Sequence, residues 1–276
     1  MRQKFIVVLL LVGLTGCMAK LSYSFADWVI EWTITDYVSL NKLQKKQLRF
    51  YIDRQLLWHK KTQITPYRDW LIAFKNQAEK GLDSEWLLVW AEQGIIFLHD
   101  LLVGITPDAT AFLISLSDQQ VETLIANIDK KQLKLQEQYL SSDNRKTLEE
   151  RQQRTERSIT RLLGKLNSVQ KTLIYKWNDS SADSTAIWLQ NREQWTRRFE
   201  RILLTRNSDE FADDLMQLFV YREQFWSDSH RQSAEENIIS GIDLALEIEL
   251  VASEKQRQKL NKFLNKWIAT LEKLSK

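Results

Sequence analysis

The chain has three histidines, His59, His99 and His230, and one cysteine, Cys17. None of the histidines forms the His-x-x-x-His or His-x-x-Glu-His spacing that sets two imidazoles on one helix face for zinc. A lone thiol leaves nothing for an internal disulfide or a cysteine-ligated metal. No Gly-x-Ser-x-Gly elbow, P-loop or dinucleotide fingerprint occurs either. No metal and no cofactor is expected. Two clusters remain as candidates. Trp58-His59-Lys60-Lys61, followed by Thr65-Pro66-Tyr67, gathers polar aromatic groups at a corner between two helices, with His59 and Tyr67 as its candidate polar site. The same residues also fit a packed corner in which Trp58 and Tyr67 fill space and His59 bonds locally. The second cluster is Arg197, Arg198 and Arg201 in a segment opening Arg192-Glu193-Gln194-Trp195, echoed by Arg222-Glu223-Gln224-Phe225-Trp226. Two of these arginines near one helix face could bind a phosphate or a glycan carboxylate. Glu193 and Glu200 offer ordinary intrahelical ion pairs instead.

Cys17 stands in a different context. Arg2 and Lys4 precede an apolar run from Phe5 to Leu14, and Leu14-Thr15-Gly16-Cys17 closes it. A positive start, a short apolar stretch and small residues at the end describe a secretory signal, and the run is shorter than the roughly 20 residues of a membrane span. The closing tetrad resembles the lipobox of bacterial lipoproteins. That resemblance implies cleavage between Gly16 and Cys17 and lipid on the Cys17 sulfur and amine. The expected division is a signal at 1–16 and one helical periplasmic domain at 17–276, with two halves that could meet near 141–164. Several acyl chains satisfy the need for more than one membrane signal, each buried methylene contributing about 0.8 kcal/mol. In enteric lipoproteins an Asp after the cysteine favours inner-membrane retention; Met18 stands here, so the outer membrane, facing the periplasm, is the expected location.

Loss of the signal takes two of the 39 Lys and Arg, leaving 37 against 36 Asp and Glu, a net charge of about +1. Nucleic-acid binders carry a clear basic excess, so no nucleic-acid partner is expected. Only seven glycines and two prolines punctuate the chain, too few for turn-rich β architecture. Long segments of polar-apolar periodicity read as an all-α bundle of mostly antiparallel helices. Asn41…Gln44, Ser117…Gln120, Asn167…Gln170 and Ser253…Gln256 each have capping-box spacing. Thr65-Pro66 and Thr106-Pro107 read as helix starts, and Gly81 and Gly104 as helix stops. These marks predict helices over 22–38, 42–60, 66–80, 84–103, 107–115, 118–140, 144–163, 168–177, 184–205, 209–227, 230–250 and 254–274.

The stretch 129–161 is dense in Lys, Arg, Glu and Gln, with narrow apolar seams. It reads either as a protruding helical hairpin or as the solvated face of an ordinary bundle. Trp28/Trp32 and Trp86/Trp90 each lie one helical turn apart and are expected to pack in the core. Membrane contact by the first pair is physically open, although Asp27, Glu31 and Asp36 would be repelled by anionic lipid.

Further residues carry a resemblance. Tyr23…Asp27-Trp28…Trp32…Asp36-Tyr37…Leu40…Gln44, the Trp58-His59-Lys60 corner, Leu116…Gln120 and Gly164-Lys165-Leu166…Gln170 resemble an uncharacterised proteobacterial family of helical lipoproteins with a domain-of-unknown-function designation. The resemblance implies a location and a fold, and no activity. Leu116…Gln120 and Leu166…Gln170 are also similar in form to the repeated Leu-Thr-x-x-Gln starts of Spy-like periplasmic chaperones, a likeness that capping alone explains. The expected function is a non-catalytic lipoprotein, held to the membrane through Cys17, that binds or scaffolds another envelope protein. A Spy-like chaperone and an envelope enzyme without a recognisable motif are the alternatives.

Overall fold

The computed structural model describes Tyr23 and residues 25–139, 144–180 and 184–276; the signal segment and Cys17 lie outside the described residues. Among the described residues there are eleven α-helices, one 3-10 turn and no strand. In chain order the helices are α1 (Ala26–Thr35), α2 (Lys42–Thr62), α3 (Ile64–Lys80), α4 (Ser84–Ile114), α5 (Asp118–Tyr139) and α6 (Asn144–Leu163). Next come α7 (Ser168–Ser180), α8 (Ser184–Leu204), α9 (Phe211–Phe219), the 3-10 turn Arg222–Phe225, α10 (Asp228–Leu250) and α11 (Glu254–Ser275). The fold is all-α.

The four capping boxes form, and they do more than start helices. At α2 the Asn41 side chain accepts from the Gln44 amide at 2.9 Å, while Gln44 Oε1 accepts from the Asn41 amide at 3.1 Å. Ser117 and Gln120 do the same at α5. Gln44 and Gln120 then face each other, and each Nε2 donates to the other's Oε1 at 2.8 Å. Their second amide hydrogens reach Ser115 O and Ser39 O, at 2.8 and 2.7 Å. Each carboxamide thus uses both donors and both lone pairs. The arrangement recurs between α7 and α11. Gln170 and Gln256 exchange bonds of 3.3 and 2.9 Å, and Gln256 also donates to Lys165 O at 3.0 Å. Four local sequence signals therefore become two long-range locks, joining helix starts 76 and 86 residues apart.

The largest apolar core brings Leu48 and Ile52 of α2 together with Phe112 and Leu113 of α4, Val121 and Leu124 of α5, Phe199 and Leu203 of α8, and Phe211, Leu215 and Leu218 of α9. A second core joins Ile64 and Leu71 of α3 to Leu264, Trp267 and Leu271 of α11, which lies along α3. A third joins Leu166 and Ile174 to Leu244 and Ile248.

Two helix boundaries depart from expectation. The segments read as 84–103 and 107–115 are one helix, α4, running through Gly104 and Pro107. Gly104 is no stop: the Trp58 indole lies against it so closely that an added Cβ would sit 2.5 Å from Trp58 Cη2. Thr106 is no cap, since its hydroxyl donates back to Leu102 O at 2.6 Å. The Thr65-Pro66 start is displaced as well. α3 begins at Ile64, so Pro66 falls in the first turn, where its missing N–H costs nothing. Gly81, with φ 108°, does end α3. Of the two readings of the charged stretch 129–161, its described residues favour a face of the bundle. α5 packs on α8, α6 packs on α7 and α11, and Gln132 and Arg151 are buried.

Candidate functional site

The corner between α2 and α3 brings His59 and Tyr67 together, their ring centroids 5.5 Å apart. The turn is tight because a single residue, Gln63, separates the helices, its amide bonding back to His59 O at 2.9 Å. Tyr23 closes the outer side. Its hydroxyl donates to Leu56 O at 2.8 Å and lies 3.4 Å from His59 Nδ1.

Inward from Tyr67 runs a ladder of rings. Tyr67 meets Phe97 edge-on at 4.9 Å, and Phe97 meets Trp70 at 5.8 Å. Trp70 stacks on Trp90 at 3.9 Å with planes only 3° apart. The two indoles also exchange hydrogen bonds: Trp70 Nε1 donates to Trp90 O at 2.9 Å, and Trp90 Nε1 to Trp70 O at 3.1 Å. Phe74 and Trp86 extend the ladder on the far side. The reciprocal indole bonds pin α3 to α4 in one register and leave neither N–H buried without an acceptor.

Burial governs the electrostatics here. It lowers the His59 pKa below the ordinary imidazole value, so the ring is neutral near pH 7. Burial, and then the nearby Asp100 charge, pushes the Tyr67 phenol up to about 12. Burial also raises Tyr23. The corner therefore holds one neutral imidazole between two neutral phenols. It can exchange hydrogen bonds with a neutral polar group or support the helices around it.

The arginine cluster stands apart from this corner. Arg197 donates to Glu193 through Nε and Nη2, at 3.2 and 2.9 Å, and that bond raises its pKa. The Arg198 guanidinium lies 4.0 Å over the Phe225 ring, and Arg201 Nε reaches back to Arg197 O at 3.4 Å. Glu200, between them, is raised by burial and then by the Asp129 charge. The three arginines do not converge on a common point. Of the other histidines, His99 lies 3.6 Å from Asp100, and His230 is buried beside Trp226. Gly16 and Cys17 lie outside the described residues. Among the described residues no three His, Cys, Asp or Glu cluster as a metal site.

Sequence reasoning missed the Trp70–Trp90 pair, although Trp86 and Trp90 were visible as a stripe; the tryptophan that faces them is on another helix. It also missed that the capping glutamines pair. Their mouth at Ser39–Asn41 and Ser115–Ser117 forms a shallow depression of about 590 Å³.

No curated protein and no solved structure matches the chain, and no likeness to Spy-like chaperones emerges. The match that does emerge is a family model over residues 36–231, from the end of α1 into α10, and it covers both the aromatic corner and the arginine cluster. By that match the chain belongs to the family of unknown function DUF6279.

Proposed function

We propose that this protein is a lipid-anchored envelope lipoprotein whose helical body binds or scaffolds another envelope component without catalysing a reaction. The observation that carries the reading is the apolar run from Phe5 ending in Leu14-Thr15-Gly16-Cys17, with Cys17 the only cysteine of the chain. Acylation of its sulfur and its new amino terminus holds the body at a bilayer, and with Met18 in place of an inner-membrane-retaining Asp the outer membrane is its destination. The body suits a platform more than a reaction vessel. The polar corner of His59 with Tyr23 and Tyr67 is neutral and continues into packed rings.

The test is mass spectrometry of the amino-terminal peptide, with fractionation of cells expressing the full chain or its Cys17→Ser variant. The native chain is expected to carry acyl mass on Cys17 and to fractionate with the outer membrane, and the variant to remain unprocessed. A variant that matures and fractionates like the native chain, with no acyl group on either, overturns the reading.

A further inference from the structure

We propose that the outward face of α1 is a second membrane contact, which inserts its aromatic rings into the bilayer interface and fixes the orientation of the body. The proposal rests on the lipid anchor argued above and adds a site to it. Counted from Phe25, the residues Phe25, Trp28, Val29 and Trp32 fall at i, i+3, i+4 and i+7, the spacing of a helix's buried stripe. Here that stripe points to solvent. Trp28 is 62 % and Trp32 60 % exposed, Phe25 and Val29 are exposed beside them, and no residue of α1 is buried. The two indoles lie roughly parallel, 6.4 Å apart, as one continuous aromatic surface.

The stripe is not free to roll inward. Tyr23 is tied to Leu56 O just before the helix, and Arg49 grips Glu31 through bonds of 2.7 and 2.9 Å in its middle. Beyond the helix Lys131 holds Asp36 at 2.5 Å, and Asn127 donates to Tyr37 O. Ile34 and Tyr37 pack against the main core. The contacts that seat one side of α1 on the body therefore present the other side outward. A contiguous apolar patch fixed in that way marks a contact surface, unlike the scattered exposed leucines normal on any protein.

Two observations identify the occupant as lipid. Phe25 is eight residues from Cys17, so even a fully extended connection keeps the start of α1 within roughly 29 Å of the anchor. Tryptophan, an apolar body with a polar N–H, settles at the headgroup boundary, and phenylalanine with it makes the apolar face of helices that lie in the interface. The charges agree. Glu31 is lowered by its bond to Arg49 and further by the Arg49 and Lys45 charges, so this acid is compensated from α2, Asp36 is held by Lys131, and Lys42, Lys45 and Lys46 lie exposed on α2 as cations that anionic headgroups attract.

The test uses the mature acylated chain in vesicles of phosphatidylethanolamine and phosphatidylglycerol, with bromine on the shallow part of the acyl chains as quencher. Part of the tryptophan emission is expected to be quenched. That part is lost in Trp28→Phe/Trp32→Phe, which keeps the aromatic surface but not the indoles. A photoreactive phenylalanine analogue at position 28 is expected to crosslink lipid. Equal quenching in the native and paired-Phe chains, or a crosslink to protein without one to lipid, overturns the inference. Acyl mass on Cys17 is read from the same sample. Acylation without quenching removes the α1 contact and leaves the tether. Quenching on vesicles added to a chain without acylation removes the tether and leaves the contact.

Discussion

Trp28/Trp32 and Trp86/Trp90 are the same pattern with opposite fates. Each is a pair of indoles one turn apart, with centroids 6.4 Å apart and planes within 20°. The second pair meets Phe74 and Trp70 from α3, and Trp90 trades indole hydrogen bonds with Trp70. The first pair meets no such aromatic partner among the described residues and stands exposed. Spacing specifies that a helix has an apolar stripe; what the stripe touches depends on the helices arranged around it. For the inner pair the answer is within this chain. For the outer pair the proposed answer is the bilayer.

The inner pair is the costlier one to disturb. Trp90→Ala removes the stacked partner of Trp70 and the indole donor that the Trp70 carbonyl accepts besides its helical amide. A loss of about 3 kcal/mol is expected, the lower end of large aromatic truncations because the site is half-buried. Trp70→Ala should cost about as much, and the double variant less than the sum, since both remove one interaction. Denaturant unfolding of the four chains checks this. Fully additive losses would mean that the stack contributes nothing beyond area.

His59 lies where the two regions meet, with Tyr23, just ahead of the outer helix, on one side and Tyr67, head of the inner ladder, on the other. Its depressed pKa has a sign that can be worked out. The unfolded imidazole binds its proton near pH 6.5, the buried one only at lower pH. The stability that His59 contributes by staying neutral is therefore fully present above about pH 6.5. It is lost as pH falls through the folded value. Thermal melts from pH 7.5 downward should show a decline that His59→Gln reduces. Tyr23→Ala, which uncovers the ring, should leave the onset near pH 6.5 and make the decline smaller, because a solvated imidazole titrates more nearly alike in both states. An unchanged profile in His59→Gln would mean that other groups carry the pH dependence.

How far the sequence foretold this arrangement varied with the range of the forces involved. Helix starts were legible because capping is local: Asn41, Ser117, Asn167 and Ser253 each satisfy an amide three residues on. Gly81 was legible for the same reason, a positive φ that glycine adopts without strain. The continuity of α4 was not. Gly104 carries a stop signal locally, yet it is needed for the approach of Trp58 from α2, so a tertiary contact decided against the local preference. The single helix expected over 209–227 ends at Phe219 and turns through Arg222–Phe225. Ser227 caps α10 by accepting from the His230 amide, and that requires extended backbone just before it. At the site, His59 and Tyr67 were legible because one short turn joins their helices. Trp70–Trp90 was not, because it depends on how α3 folds back on α4. The outward turn of Trp28 and Trp32 was the least legible. Ion pairs to residues as distant as Arg49 and Lys131 decide it, and the sequence pattern was that of a core stripe.

The outer pair should matter little to folding. Trp28→Ser/Trp32→Ser should leave unfolding free energy within about 0.5 kcal/mol of the native chain, as expected where a substitution removes little burial. The same exchange at Trp86 and Trp90 would be severe. If the outer pair instead cost several kcal/mol, those rings would be part of the core and α1 would have no face to offer a bilayer. If stability is unchanged while lipid quenching disappears, the two pairs separate cleanly: one holds the body together, and the other tells the body which way to face. Denaturant melts in detergent-free buffer and in vesicles, run on the same preparation, distinguish these outcomes, because only a membrane-seated stripe makes the two pairs' costs converge when lipid is present.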